Sequence, residues 1–309
     1  MNKQSNILVV GSSNTDMVVQ VPHLPTPGET VLGGVFQQAA GGKGANQAVA
    51  AQRCGGHVAF VACVGDDALG AQAIHGYKKD GIDVNAIVVD KKEPSGVAII
   101  VVNKEGENSI AVASGANMAL TTDHIDQNKS RIEQSGIVLL QLETTLSIVQ
   151  HTIELAAQSD TTIILNPAPA QPLSDELLSK VTILTPNETE ASMLTNIKVT
   201  DADSAKQAAQ WLLDKGVQHV IITMGGLGTF YMSATQQKMF TPFKVDPVDT
   251  TGAGDTFNGA LAAALSQQKE MTDAINFAQA AAALSVTKRG AQPSVPTLAA
   301  VLEFLAAAP

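Results

Sequence analysis

Short apolar runs alternate with Ala- and Leu-rich segments along most of the chain. The runs are continuously apolar rather than alternating with polar residues, which is expected of strands covered by helices on both faces. We predict strands at 58–64, 137–142, 162–165, 181–184, 217–223 and 229–232, and helices at 67–79, 145–158, 188–194 and 205–215. This order favours an α/β fold with a doubly wound, mostly parallel sheet flanked by helices.

Two segments interrupt that order. Apolar runs at 17–21 and 31–36 flank a Pro- and Gly-rich link at 22–28, and runs at 97–103 and 108–112 flank the polar link 104–107. Both pairs are typical of antiparallel strands. We predict that these excursions, at about 15–40 and 96–113, form a small β-sheet lid, although ordinary edge hairpins would explain the pattern equally well.

Composition narrows the class of protein. The 309 residues are 45% hydrophobic and carry 29 acidic against 19 basic side chains, a net charge of −10. The length fits one large α/β domain or two small ones, and we expect a single domain over residues 1–309. The charge argues against a nucleic-acid surface or binding to an anionic membrane, but it does not exclude one small anionic ligand.

Other features favour the cytoplasm. No apolar run approaches the ~20 residues of a membrane helix, and the run at 7–10 is too short for a signal-peptide core. Cys54 and Cys63 lack a metal-type spacing and are expected to be small buried residues in a reducing compartment.

A glycine-rich loop at 249–259 leads into an apolar helix predicted at 260–265. The first backbone N–H groups of such a helix lack intrahelical acceptors, and glycines let an anion approach them closely. Asp255 lies among them, and a carboxylate there is stabilised in its charged form. It is either a helix cap or a base, and the adjoining Gly-Ala-Gly favours a phosphate-handling site.

The common nucleotide fingerprints are absent. Gly252 and Gly254 are not followed by the third glycine of a dinucleotide fold, and Lys43 is followed by Gly44 rather than by the Ser or Thr of a P-loop. The segment 41–47 also opens an Ala-rich helix, where Lys43 and Asn46 would suit a hydroxyl-rich ligand. Taken alone, an ordinary helix start explains it better.

Together, the segments 41–46 and 249–259 resemble the two signatures of the ribokinase-type carbohydrate kinases. The resemblance extends over the whole chain, including Asn14, Asp16 and the stretches 187–190 and 223–228. It implies ATP- and Mg²⁺-dependent phosphorylation of the terminal hydroxyl of D-ribose, activation by K⁺, and a homodimer formed through the lid. Related kinases for deoxyribose, a ketohexose or a nucleoside stay open, as does a non-catalytic sugar-binding regulator.

The resemblance also assigns roles to individual residues. Asp255 matches the catalytic base, and the backbone amides of Gly252, Ala253, Gly254 and Asp255 match an anion hole. The sugar ligands would be Asn14, Asp16, Gly42, Lys43, Asn46, Glu143 and Asp255. Residues near ATP and its magnesium would be Asn187, Glu190, Thr223, Gly225, Gly228, Gly254 and Gln279. The monovalent-cation site would comprise Asp249, Thr251, Ser285, Lys288, Gly290 and Ser294.

Three of these segments have simpler local explanations. Residues 187–190 also fit a helix start after Pro186, the loop 223–228 fits a tight hairpin, and 288–294 fits an ordinary surface loop.

Overall fold

The computed structural model describes residues 6–307. Its strands are β1 Asn6–Val10, β2 Asn14–Gln20, β3 Val35–Gly41, β4 His57–Gly65, β5 Ile87–Asp90, β6 Gly96–Val102, β7 Asn108–Ala113, β8 Ile137–Leu140, β9 Thr162–Leu165, β10 Ile183–Leu184, β11 His219–Thr223, β12 Thr229–Ser233 and β13 Gln237–Phe240. Its helices are α1 Lys43–Arg53, α2 Ala68–Lys79, α3 Thr122–Gln127, α4 Lys129–Gln134, α5 Leu146–Ala156, α6 Asp175–Leu178, α7 Glu188–Thr195, α8 Ala202–Asp214, α9 Ala253–Ser266, α10 Met271–Ser285, α11 Ala291–Ser294 and α12 Leu298–Ala307. Short 3₁₀ helices lie at Gly115–Ala119 and Gly225–Leu227.

The main sheet has nine strands in the order β13-β12-β11-β10-β9-β8-β1-β4-β5. From β11 to β5 the neighbouring strands are parallel, whereas β12 and β13 add antiparallel pairs at one edge. Along β1, Leu8 and Val10 belong to the apolar core on one face, while Ile7 and Val9 belong to the core on the other. The sheet is therefore buried on both faces, and the predicted fold class is confirmed.

Three of the predicted boundaries differ from the structure. The helix expected at 260–265 begins at Ala253. The prediction missed its first turns because their polar residues face the protein interior rather than solvent. The strand expected at 31–36 instead spans Val35–Gly41, and the expected surface loop 288–294 contains α11, in which Ala291 and Ser294 are buried.

The interrupting segments form a second sheet of four strands in the order β3-β2-β6-β7. Each segment contributes an antiparallel pair, and the parallel pairing of β2 with β6 joins them. Several large apolar side chains on this sheet are exposed, among them Phe36, Ile99, Ile110 and Val112. We call these four strands the small sheet.

Two further observations concern the class of protein. Cys54 and Cys63 are free and buried, as predicted. No helix between residues 6 and 307 combines the length and apolarity needed to cross a membrane.

Candidate active site

The candidate site lies at the carboxyl edge of the parallel strands, where open α/β sheets bind ligands. The segments that follow β1 and β8 meet the first turns of α1 and α9 there. A cavity of about 160 Å³ opens beside α9, and the predicted groups Lys43, Glu190, Thr223 and Asp255 all line it. The structure thus brings residues from distant parts of the sequence to one place.

Asp255 lies in the first turn of α9 and is buried. Its Oδ2 accepts a hydrogen bond from Asn46 Nδ2 at 2.9 Å, and its Oδ1 accepts one from Gln47 Nε2 at 2.9 Å. Burial raises the pKa of Asp255, although the Lys43 charge and the two amide donors act in the opposite direction. The helix terminus was expected to favour the charged form, but desolvation outweighs it, so this carboxylate is a stronger base than an exposed one.

The backbone at the start of α9 is shaped by Gly252, the N-cap residue, at φ 73°. Ala253 N–H donates to the carbonyl of Thr250 at 3.2 Å, and the first i→i−4 bond runs from Thr256 to Gly252 at 2.8 Å. The N–H groups of Gly254 and Asp255 precede that bond and lie where the positive end of the helix attracts an anion.

The start of α1 is equally constrained. A Cβ added at Gly42, the N-cap at φ 88°, would lie 2.6 Å from the backbone nitrogen of Asn14. The backbone N–H of Lys43 donates to Glu143 Oε2 at 2.9 Å, and Ser12 Oγ donates to the same oxygen at 2.5 Å. Glu143 therefore fastens the first turn of α1 to the segment that follows β8.

Four carboxylates surround one lysine at the site. Burial by itself lowers the pKa of Lys43, but Asp255, Glu143, Glu190 and Asp16 together raise it, so Lys43 is a cation. Burial, followed by the charges of Glu143 and Asp255, raises the pKa of Asp16 to about 6 despite Lys43. The four carboxyl groups at the site therefore outnumber the single lysine that could neutralise them.

Asn14 lies where the small sheet leaves the main body. Its Oδ1 accepts from Asn117 Nδ2 at 2.7 Å, and Asn117 Oδ1 accepts from the backbone N–H of Ser13 at 2.8 Å. A Cβ at Gly96 would lie 2.2 Å from Asn14 Oδ1 and 2.4 Å from Asn117 Nδ2. The segment that enters the small sheet at β2 and the segment that leaves it after β7 are thus hydrogen-bonded to each other.

Asn187 and Glu190 form a capping box at the start of α7. Glu190 N–H donates to Asn187 Oδ1 at 2.8 Å, and Asn187 N–H donates to Glu190 Oε2 at 2.9 Å. Thr223 N–H donates to the Pro186 carbonyl at 3.0 Å and so holds the end of β11 beside this helix start. The simpler local explanation is correct as far as it goes, and it also places Glu190 on the cavity.

The other residues predicted near the nucleotide lie outside the cavity lining. Gly225 and Gly228 belong to the tight connection between the antiparallel strands β11 and β12, as the hairpin explanation requires. A Cβ at Gly228 would lie 2.0 Å from the Phe240 carbonyl oxygen, so this turn requires glycine. Gln279, on α10, is buried and donates to the Thr241 carbonyl at 2.5 Å.

The predicted cation ligands lie behind the start of α9. Asp249 Oδ1 accepts from Thr251 N–H at 2.9 Å, and Oδ2 accepts from Gly290 N–H at 2.8 Å. Burial raises the pKa of Asp249, but these hydrogen bonds outweigh it and the net shift is downward. The Oγ atoms of Ser285 and Ser294 donate to carbonyls of their own helices.

Sequence reasoning missed a set of buried polar residues in and around the site. They are Ser12, Gln47, Asn117, Gln141, Asn166, Thr185 and Asn258. Gln47 is the clearest case, because together with Asn46 it interrupts the otherwise small and apolar stretch 44–51 of α1. A polar residue within an apolar helix pattern was the signal that could have found it.

The chain is similar to known proteins over nearly its whole length. The profile of the pfkB family of carbohydrate kinases matches residues 4–298. The chain is similar to the ribokinase of Haemophilus influenzae, at 48% identity over 98% of this chain and 99% of that protein. It is also similar to the ribokinase of Bacillus subtilis, at 41% identity over 97% and 99%. The solved structure of Arabidopsis thaliana ribokinase complexed with ribose and ATP superimposes with a TM-score of 0.91, at 34% identity and 99% coverage of both chains.

Proposed function

Because the chain belongs to the pfkB family of carbohydrate kinases, we propose that it transfers the γ-phosphoryl group of ATP to the O5 hydroxyl of D-ribose. The product is D-ribose 5-phosphate, formed in ribose catabolism. The observation that carries the proposal is the buried Asp255 carboxylate beside a helix N-terminus, in a chain whose full-length relatives include ribokinases.

Asp255 is the base in this reaction. It accepts the O5 proton as that oxygen attacks the γ-phosphorus from the side opposite the departing ADP. Asn46 and Gln47 fix both carboxylate oxygens, so the base needs no rearrangement to accept the proton. Each oxygen has a second lone pair for the sugar hydroxyl.

The first turn of α9 neutralises charge on the transferred group. The N–H groups of Gly252, Gly254 and Asp255 face the phosphoryl oxygens, and the helix dipole adds to the attraction. The N–H of Ala253, matched to the same anion hole, is the amide that already donates to Thr250. Lys43 lies on the same cavity, and its positively charged side chain adds to the attraction of the phosphoryl group.

The sugar hydroxyls bind to Asn14, Asp16, Asn46 and Glu143, with the backbone at Gly42 close by. Asn46 supports this assignment most directly, because its Oδ1 is buried and has no hydrogen-bond partner among the described residues. Leaving such an acceptor unpaired costs about 1–3 kcal/mol, which a sugar hydroxyl would offset. A sugar that lacks the matching hydroxyl would bind more weakly.

Mg²⁺ accompanies ATP at Asn187 and Glu190. The described residues contain no cluster of three or more His, Cys, Asp or Glu side chains that could hold a metal unaided. Kinases usually bind Mg²⁺ through one or two carboxylates and the substrate phosphates, so Glu190 on the cavity fits this role. When bound, Mg²⁺ neutralises charge on the phosphates. The nucleotide itself extends past Thr223 toward Gly225, Gly228 and Gln279.

A monovalent cation, K⁺, binds at Asp249, with Thr251, Ser285, Lys288, Gly290 and Ser294 around it. Asp249 fits this role because it is ionised and is hydrogen-bonded to both loops that would surround the ion. A cation there would order the loop before α9 without joining the chemistry. Turnover in K⁺ should exceed turnover in Na⁺ or choline, and equal rates in all three would contradict this site.

The small sheet acts as the lid of a single domain that spans the chain, and it pairs with the lid of a second copy. Its exposed apolar side chains, such as Phe36 and Ile110, support this assembly because they would be buried in a dimer. Sedimentation of the wild type should give a dimer, and Phe36→Asp should shift it toward monomer. We place the protein in the cytoplasm, which supplies ATP and keeps Cys54 and Cys63 reduced.

The test of the whole proposal is a coupled kinase assay with a panel of pentoses, hexoses and nucleosides. We expect the highest kcat/KM with D-ribose. A clear preference for deoxyribose, a ketohexose or a nucleoside would assign another sugar to the same chemistry. Sugar binding without any sugar-dependent ATP consumption would instead indicate a non-catalytic regulator.

A further inference from the structure

A chain of buried hydrogen bonds leads away from the base beneath the site. Gln47 Nε2 donates to Asp255 Oδ1 at 2.9 Å and also to Asn166 Oδ1 at 3.1 Å. Asn166 Nδ2 in turn donates to the carbonyl of Thr185 at 2.9 Å. Gln47 is fully buried, and it connects α1 to the ends of β9 and β10.

The same chain returns to α9. Thr185 Oγ1 donates to Asn258 Oδ1 at 2.5 Å, and Asn258 Nδ2 donates to the carbonyl of Gly254 at 2.8 Å. The peptide between Gly254 and Asp255 is planar, so holding its carbonyl also fixes the direction of the Asp255 N–H. The hydrogen bonds therefore close a ring that joins the side chain of the base to its own backbone.

One further bond decides which way the Gln47 amide points. Gln141 Nε2 donates to Gln47 Oε1 at 2.6 Å, which leaves both Gln47 N–H groups directed at the two acceptors. An ionised carboxylate can only accept, so this is the orientation that suits Asp255. Gln47 does not line the cavity, whereas Asn166, Thr185 and Asn258 do. Any effect of Gln47 on turnover must therefore pass through its neighbours.

We propose that Gln47 is a positioning residue for the phosphoryl transfer: its amide holds Asp255 Oδ1 in the place where the proton is accepted. The inference rests on the proposed function. It predicts two consequences of losing the amide: the carboxylate becomes mobile, and its ionised form loses one charge-assisted hydrogen bond. Changing Gln47 removes none of the charged groups that face Asp255, namely Lys43, Glu143, Asp16 and Glu190.

The test is Gln47→Met, which keeps the length of the side chain and removes both donors. We expect kcat to fall about 10- to 100-fold, because a small misplacement of a catalytic group lowers the rate by about that much. The KM for ribose should stay near the wild-type value. The acidic limb of the kcat–pH profile should move to higher pH by about one unit, because the lost bond favoured the ionised base. A purely structural role would not move that limb.

Gln52→Met is the matched control. It is the same change on the same helix, and Gln52 Oε1 accepts from Val58 N–H at 3.1 Å, away from the site. Its kcat and pH profile should equal those of the wild type. If Gln47→Met does not fold, as judged by thermal unfolding, Gln141→Met takes its place, because it removes only the bond that orients the Gln47 amide. The limb should then move in the same direction by a smaller amount.

The outcomes separate the two proposals. A wild type without sugar-dependent turnover would refute the proposed function itself. A fully active wild type together with an unshifted pH profile in Gln47→Met, or in Gln141→Met where that variant is used, would refute the role of Gln47 alone.

Discussion

Replacing Asp16 with Asn should stabilise the fold and at the same time weaken the binding of ribose. The side chain is partly buried beside Glu143 and Asp255, and its pKa is raised from 3.8 to about 6. A raised pKa means that the folded protein disfavours the charged form, so the sugar-free protein should lose stability as the pH rises from about 4 to about 6. Replacing Asp16 with Asn removes the charge and should remove that loss.

The size of the effect follows from the shift. A difference of about 2 pKa units corresponds to about 3 kcal/mol at 1.36 kcal/mol per unit. Because Asp16 is partly exposed, solvent screens the charge, and we expect about 1–3 kcal/mol. Asp16→Asn should therefore unfold at higher denaturant concentration than the wild type at pH 8, and the difference should shrink by pH 4.

Denaturant unfolding without sugar, at pH 4, 6 and 8, measures this directly. Asp160→Asn is the control for the loss of one negative charge, because Asp160 lies in an exposed turn before β9. The KM for ribose should rise in Asp16→Asn, because the change alters a residue that we propose as a ligand of the sugar. A variant that is less stable than the wild type at pH 8 would refute the electrostatic reasoning.

Two glycines give further predictions. A Cβ at Gly259 would lie 2.4 Å from the Gln47 carbonyl oxygen and 2.5 Å from Ala50 Cβ. In Gly259→Ala the helices α1 and α9 must therefore separate by about 1 Å to restore normal contact. We expect kcat to fall about 10- to 100-fold in a folded protein, and unchanged kinetics would contradict this. In Gly96→Ala the new Cβ would collide with the side chain of Asn14, so the KM for ribose should rise. Gly76→Ala is the control, because a Cβ at Gly76 meets open space.

Much of the fold could be predicted because local pattern and burial agree. The strands at the centre of the sheet are apolar on both faces, and the predicted strand at 162–165 matches β9. The prediction failed at α9, where the buried polar residues Asp255, Thr256 and Asn258 hid the first two turns of a helix. Hydrophobic periodicity assumes that polar side chains face solvent, and a ligand site reverses that assumption.

The candidate site was predictable in part for a similar reason. The glycine-rich segments and the resemblance indicated the groups that face the cavity, such as Lys43, Glu190 and Asp255. They did not indicate Gln47 or Asn117, whose partners lie far away in the chain. Contacts between residues 208 and 104 positions apart cannot be read from local pattern, and only the fold brings these residues together.

The central claim is that Asp255 is the base. The most direct measurement compares kcat and ribose affinity in the wild type and in Asp255→Asn, which keeps the size of the side chain and removes its basicity. We predict that kcat falls about 100- to 10,000-fold, the usual contribution of a general base, while calorimetry shows ribose binding close to that of the wild type. Near-normal turnover in Asp255→Asn would contradict the account.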